Sequence, residues 1–139
     1  MILIDTNVIS QLTRSLPDTS VFNWIEANEN EILVSTVSLG EMAFGIARLP
    51  DGRRKDGLRH LQGMATDRFS SQIMPYGVYE AQAYGDIMAD AEKLGRPMSI
   101  PDGMIASSAR VLRVPLATRN FKDFQTTGLA LFNPWELAD

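Results

Sequence analysis

The sequence contains no cysteine, and His60 is the only histidine among its 139 residues. The absence of cysteine excludes disulfides, thiolate metal sites and a cysteine nucleophile, and one histidine is too few for a multi-histidine zinc site. A Ser-His-Asp triad would have to use His60, but no G-x-S-x-G motif accompanies it. Any metal bound by this chain is therefore expected to take oxygen ligands.

Long apolar runs and excess positive charge are also missing. No run approaches the roughly 18 residues that suggest a membrane span, and Asp5 follows the opening residues without the basic stretch of a secretory signal. We therefore expect a cytoplasmic protein with no membrane segment. Thirteen Lys and Arg against 17 Asp and Glu give a formal net charge of −4. A chain that binds nucleic acid mainly by bulk electrostatics is usually basic, so the surplus acid needs a local purpose, such as metal binding.

Short apolar runs that alternate with helical patterns predict an α/β fold, in which helices cover both faces of a central parallel sheet of four to five short strands. We find no repeat or linker and expect a single domain over residues 1–139. The predicted strands are Met1–Ile4, Ile32–Ser35, Gln72–Pro75, Val114–Ala117 and Leu129–Phe132. The predicted helices are Thr6–Thr13, Val21–Ala27, Ser38–Leu49, Leu58–Phe69, Tyr79–Leu94 and Ser99–Leu112, with Pro50–Gly57 as a turn-rich basic loop.

Several acids lie near the predicted carboxyl ends of strands, where parallel sheets bind ligands. They are Asp5, Glu41, Asp102 and Asp123. Each has a purely structural alternative, because Asp5 fits a helix N-cap, Glu41 and Asp102 fit S-x-x-[DE] capping boxes, and Asp123 fits a solvated turn. Together at one edge, however, the carboxylates would repel one another unless a cation neutralised them. Oxygen ligands favour Mg²⁺ or Mn²⁺, an arrangement suited to metal-assisted hydrolysis of a phosphodiester.

Five ordered stretches that span nearly the whole chain resemble the PIN-domain ribonuclease toxins of the VapC/FitB type. They are Met1–Ser10 (MILIDTNVIS), Ser35–Glu41 (STVSLGE), Pro101–Ala106 (PDGMIA), Leu116–Asn120 (LATRN) and Phe132–Trp135 (FNPW). The closing Asn-Pro-Trp points to the FitB-like branch. The resemblance implies a PIN-like three-layer α/β/α fold and the toxin of a bacterial type II toxin-antitoxin system. It further implies a Mg²⁺- or Mn²⁺-dependent endoribonuclease that cleaves RNA with a metal-activated water to leave a 5′-phosphate, inhibited by a VapB/FitA-type antitoxin. A homodimer, and contact with operator DNA only through the antitoxin, are expected with it.

The resemblance also assigns roles to residues of this sequence. Asp5 and Asp102 match direct metal ligands, and Glu41 matches an acid that holds a metal-bound water or a second metal and orients the attacking water. The residues expected to support these acids are Thr6 and Asn7, beside Asp5, and the hydroxyl of Thr118. Where the family often carries a fourth acid this chain has Asn120, and Asp123 is expected to replace it in part as a catalytic residue.

Arginines near the acids are candidate contacts for RNA phosphates. Arg119 directly follows Thr118, and its alternative is a surface pair with Asp123 or Glu136. Arg53 and Arg54 belong to the densest basic stretch, where a phosphate backbone could run toward the acids. The alternatives for that stretch are a solvated loop or a contact with an acidic partner. His60 lies in the same segment and is expected at the surface.

Other functions fit the sequence less well. A haloacid-dehalogenase-like phosphatase would need a second Asp where this chain has Asn7, and a two-component receiver would need a phosphoacceptor Asp after a middle strand and a late Lys. A different class of alternative is a catalytically weak PIN-fold binding module, disabled by Asn120, that acts with its antitoxin in operator DNA binding and autoregulation. Retention of Asp5, Glu41 and Asp102 together favours the enzyme.

Overall fold

The computed structural model describes residues 1–136 and contains a central sheet of five parallel strands. The strands are β1 (Ile2–Ile4), β2 (Ile32–Ser35), β3 (Ile73–Met74), β4 (Leu116–Ala117) and β5 (Leu131–Phe132). Their order in the sheet is β3-β2-β1-β4-β5, so β1 lies at the centre. In its register Ile4 pairs with Val34 of β2 and with Ala117 of β4, which brings the carboxyl ends of these three strands to one edge.

Seven α-helices connect or follow the strands within the described residues. They are α1 (Thr6–Ile9), α2 (Thr19–Ala27), α3 (Thr36–Ala47), α4 (Arg53–Arg68), α5 (Val78–Lys93), α6 (Ile100–Leu112) and α7 (Phe121–Phe124). Short 3-10 segments occur at Ser10–Thr13, Glu29–Glu31, Ser70–Gln72 and Gln125–Thr127. In this part of the chain no helix has the length and hydropathy that crossing a membrane requires.

Both faces of the sheet are buried, which confirms the predicted α/β/α layering. Successive strand residues point to opposite faces, so Ile4 and Val34 enter one apolar cluster while Leu3 and Leu33 enter the other. The first cluster includes Val8 of α1 and residues of α2 and α3. The second includes residues of α5, α6 and α7. A strand buried on both faces is expected to be largely apolar, and β2 is buried at all four positions with Ile32, Leu33 and Val34 as its first three residues.

The structure changes two of the predicted elements and adds a short helix that was not predicted. The segment Pro50–Gly57 is not a loop throughout, because α4 begins at Arg53, directly after Gly52 at φ +154°. Its apolar pattern begins only at Leu58, and the helix extends further back because the buried stem of Lys55 packs there and its ammonium pairs with Asp51 at 3.0 Å. The predicted helix Thr6–Thr13 is one α-turn followed by a 3-10 segment, and the short helix α7 was not predicted.

Candidate active site

Asp5 directly follows β1 and is 5% exposed. Its Oδ1 accepts a hydrogen bond from the Val8 backbone N–H at 3.0 Å, and its Oδ2 accepts one from the Thr118 hydroxyl at 2.6 Å. The predicted N-cap role is therefore correct, but it occupies only one carboxylate oxygen. Burial raises the pKa of Asp5 to about 6, against the lowering effect of these hydrogen bonds and with a smaller repulsion from Asp102.

Thr118 directly follows β4 and is fully buried beside Asp5. Its hydroxyl oxygen also accepts the Asn120 backbone N–H at 3.1 Å. That second bond fixes the rotation of the hydroxyl, so its hydrogen is available to the carboxylate of Asp5. The Thr118 side chain thus links the ends of β1 and β4 and holds Asp5 in place.

Glu41 lies one and a half turns into α3, half-buried, and its Oε1 accepts a hydrogen bond from the Thr6 hydroxyl at 2.5 Å. Thr6 Oγ1 also lies within hydrogen-bond distance of the buried Ser38 hydroxyl, at 3.1 Å. The predicted capping box at Ser38 and Glu41 is wrong, because α3 begins at Thr36 and its N-cap is Ser35, which accepts from the Val37 N–H. Glu41 is therefore not used for capping.

Thr6 was expected to support Asp5, and the structure instead pairs its hydroxyl with Glu41. Asn7, the other expected support, is exposed, and it acts on Asp5 through its backbone, whose hydrogen bond lowers the pKa of that carboxyl.

Asp102 lies in the first turn of α6, where the N-cap Ser99 accepts its backbone N–H at 3.3 Å. The predicted cap is thus present, and the Asp102 carboxylate is half-buried. Burial raises its pKa and repulsion from Asp123 and Glu41 raises it further, while a separate hydrogen bond between the Ser99 side chain and the Asp102 carboxylate opposes both effects. Asp5, Glu41 and Asp123 are therefore each within electrostatic reach of Asp102.

Gly103 is a site feature that the sequence analysis missed. A Cβ at this position would lie 2.4 Å from the sulfur of Met88 and 3.0 Å from the ring of Tyr84, both on α5. A side chain at this position would require Met88 to move and Tyr84 to give way slightly, so glycine favours the close packing of α6 against α5 beside Asp102. The available signal was a glycine inside a helical pattern, which costs about 1 kcal/mol relative to alanine and calls for a packing reason.

Asn120 and Asp123 lie at the start of α7. Asn120 is exposed at the N-cap position, and its side chain makes no capping hydrogen bond, while its carbonyl accepts the Asp123 N–H at 3.1 Å. Asp123 is one turn further and close enough to raise the pKa of Asp102. Of the two residues considered for the fourth acidic position, Asp123 is therefore the one that interacts electrostatically with Asp102.

Arg119 does not form the surface ion pair considered for it. Its guanidinium lies 5.1 Å above the ring centre of Trp135, and within residues 1–136 it makes no ion pair with Asp123 or Glu136. The Trp135 backbone N–H is bonded to Asn133 Oδ1 at 2.9 Å, so the stacking partner is itself held. Such cation–π stacking leaves the guanidinium N–H groups free to bind an anion. His60 is exposed, as expected.

The four acids lack a protein cation. In the part of the chain that the structure describes, none of them pairs with Lys, Arg or His, and no three His, Asp or Glu side chains approach closely enough to form a complete metal cage. Mg²⁺ does not need such a cage, since it keeps several waters and takes one or two carboxylates. A buried carboxylate with a raised pKa, facing further carboxylates and no cation, fits a hard divalent ion.

Comparison with known proteins identifies relatives along the whole chain. A family model described as "PIN domain" matches residues 2–128. The chain is 36% identical to VapC ribonuclease Y4jK of Sinorhizobium fredii, covering 99% of this chain and 100% of that protein. It is 33% identical to Toxin FitB of Neisseria gonorrhoeae, covering 97% and 99% respectively. Its fold is similar to a chain in "Structure of FitAB bound to IR36 DNA fragment", with a TM-score of 0.90, 32% identity and coverage of 100% and 99%.

Proposed function

Since the chain belongs to the PIN domain family, with VapC and FitB toxins as relatives, we propose that it is a toxin of a type II toxin-antitoxin system that acts as a divalent-metal-dependent endoribonuclease. One observation carries the catalytic part of this proposal. The buried carboxylate of Asp5 faces Asp102 at the carboxyl edge of the sheet, and neither has a basic partner within residues 1–136. A pair of this kind is costly for stability and is best explained by the cation that it holds when working.

Asp5 and Asp102 would hold a Mg²⁺ or Mn²⁺ ion, with Glu41 holding a water beside it. When bound, such an ion stabilises negative charge on phosphate oxygens and lowers the pKa of water. The reaction is hydrolysis, in which a water oxygen bonds to phosphorus and the O3′ atom leaves, giving a 5′-phosphate and a 3′-hydroxyl. Glu41 accepts a hydrogen bond from that water and orients it, since the Thr6 hydroxyl fixes one carboxylate oxygen and leaves the other available.

The remaining residues keep the acids in position or bind the substrate. Thr118 and the Val8 N–H hold the carboxylate of Asp5 at a fixed angle. Asp123 supplements the negative charge around Asp102, in the place where Asn120 is neutral. Arg119, stacked on Trp135, donates to a phosphate oxygen of the RNA.

We also propose a VapB/FitA-type antitoxin as the inhibitor, contact with operator DNA only through that antitoxin, and a homodimer built from single PIN domains of residues 1–139. Support comes from the structural relative, which is FitAB bound to a DNA fragment. Because the similarity to that chain extends over its full length, we expect this protein to form a corresponding assembly.

The test is incubation of antitoxin-free protein with total cellular RNA and Mg²⁺ or Mn²⁺. Controls are the Asp5→Asn variant and a chelator, with circular dichroism to verify folding of both proteins. Discrete cuts that require both the metal and Asp5 support the endoribonuclease. Intact RNA in every lane, from folded protein, rejects it and favours the binding module with a site weakened at Asn120.

A further inference from the structure

A groove that contains Glu41 at one end extends away from the acidic site between α3, α4 and the Ser10–Thr13 segment that follows α1. Its volume is about 1,110 Å³, slightly above the roughly 300–1,000 Å³ typical of small-molecule pockets. One end of the groove is lined by Thr6, Asn7 and Glu41, so the groove opens directly onto the candidate active site.

The charge of this groove is opposite to that of the whole protein. Four arginines line it, and Glu41 at the site is the one acid in its lining. The four are Arg14, Arg48, Arg53 and Arg54. All are exposed, and within residues 1–136 none forms an ion pair. In a chain of net charge −4, four unneutralised arginines along one groove favour a polyanionic occupant.

The start of α4 strengthens this positive field. Lys55 turns inward to Asp51, whereas Arg53 and Arg54 stay on the groove. Both arginines lie at the positive end of a 16-residue helix, where acids are the favoured residues. The N-cap Gly52 supplies no side-chain acceptor for the first N–H groups. Arg48, the C-cap residue of the facing helix α3, has its guanidinium 5.4 Å above the ring centre of Phe44. This stacking limits the freedom of the side chain and leaves its N–H groups available to an anion.

We propose that this groove binds the single-stranded backbone of the RNA substrate on one side of the scissile phosphate, with these four arginines as phosphate contacts. The inference rests on the proposed endoribonuclease function. Arg14 and Arg48 extend the contact beyond the basic stretch visible in the sequence. RNA is favoured over an acidic polypeptide because the groove ends at Thr6, Asn7 and Glu41, so a strand lying in it carries a phosphodiester to the acids. The groove lining also contains apolar side chains, among them the half-buried Leu49 and Leu58.

The experiment measures binding of a fluorescein-labelled single-stranded RNA of about 12 nucleotides to the Asp5→Asn chain in chelator, by fluorescence anisotropy. Arg53→Gln/Arg54→Gln is compared with Lys93→Gln/Arg113→Gln, which removes the same charge from exposed positions outside the groove. Each phosphate contact to a single strand contributes about 0.7 to the salt dependence of log Kobs, so losing two lowers the slope by about 1.4 and weakens binding about 25-fold near 0.1 M salt. The control pair should change binding less than about twofold.

Equal effects of the two double variants would overturn the proposal, because bulk charge alone would then explain binding. A polyglutamate peptide that binds as tightly as the RNA, and loses affinity in the same groove variant, would also overturn it and identify a peptide site. Failure of the proposed enzyme function can be distinguished from failure of the groove assignment. If RNA binds in the groove as expected while the wild-type chain cleaves no RNA with any divalent metal, the groove assignment holds and the catalytic assignment does not.

Discussion

The hydroxyl of Thr118 donates a 2.6 Å hydrogen bond to Oδ2 of Asp5, although 113 residues separate them in the sequence. The bond exists because β1 and β4 are parallel neighbours, with Ile4 paired to Ala117, so the residue after each strand meets the other. It is also the largest of the interactions that favour the charged form of Asp5.

Thr118→Val therefore removes the main stabilisation of a buried carboxylate while keeping the shape of the side chain. We expect the pKa of Asp5 to rise above its value of about 6. The free energy of unfolding should fall by about 1–3 kcal/mol, because the Asn120 N–H also loses its acceptor. The acid limb of the cleavage pH profile should move to higher pH. Thr118→Ser keeps the hydroxyl and should match the wild type, and equal profiles for all three proteins would contradict the assigned role.

The pKa of Asp5 also predicts how stability changes with pH without metal. A folded-state pKa of about 6 against 3.8 for the unfolded chain means that the folded protein binds this proton more tightly. Between these pH values the unfolding free energy falls as pH rises, by about 3 kcal/mol in total for a shift of about two units. Asp5→Asn removes this cost, so the metal-free variant should be more stable than the wild type near pH 7.5, with the difference vanishing below pH 3.8.

Chemical denaturation of both proteins at several pH values, in chelator, measures this difference. Contributions from acids that do not interact with Asp5 cancel in the comparison. Excess Mg²⁺ should then stabilise the wild type near pH 7.5 by about 2.7 kcal/mol at one hundred times its dissociation constant, and leave Asp5→Asn nearly unchanged. A difference between the two proteins that does not vary with pH would show that Asp5 is already paired in the folded state.

Variants of Glu41 and Thr6 distinguish the effect of the Glu41 charge from the effect of the Glu41 side-chain orientation. Glu41→Gln keeps an oxygen that accepts from the Thr6 hydroxyl, so the unfolding free energy should change little. The charge is lost, and kcat should fall by about 10²–10⁴ if the side chain accepts a proton or orients the water. Thr6→Val keeps the charge but frees the side chain, and we expect a smaller loss. Single-turnover cleavage at saturating RNA measures both, and full activity of Glu41→Gln would remove Glu41 from the mechanism.

The sheet and its polar edge could be predicted from the sequence because they depend on short-range patterns. A strand buried on both faces reads as a continuous apolar run, and β1 and β2 show this. The residues after such strands lie at one edge by topology alone, which is why Asp5 and Thr118 could be grouped. The fold class was correct for the same reason.

Contacts between side chains on different helices and strands could not be predicted from such sequence patterns. The pairing of Thr6 with Glu41, rather than with Asp5, depends on the angle between α1 and α3. The close approach permitted by Gly103 depends on the shapes of Met88 and Tyr84 on another helix. The beginning of α4 was misplaced because a buried Lys55 stem does not resemble a core residue in sequence.

Asp123 and Asn120 provide the last prediction, since one is charged and the other is the neutral residue at the position where the family resemblance implies a fourth acid. Asp123 raises the pKa of Asp102 by repulsion, so Asp123→Asn should lower that pKa and make Asp102 easier to ionise without metal. If Asp123 also completes the acidic site, the same variant should bind Mn²⁺ more weakly and cleave more slowly. Asn120→Asp should have the opposite effect on metal affinity, because it adds a carboxylate to the same short turn.

Asp86→Asn, on the exposed face of α5, changes the net charge by the same amount as Asp123→Asn and serves as the control. Calorimetric titration with Mn²⁺ ranks the four proteins, and equal affinities for Asp123→Asn and Asp86→Asn would assign Asp123 to the solvated turn considered at the outset.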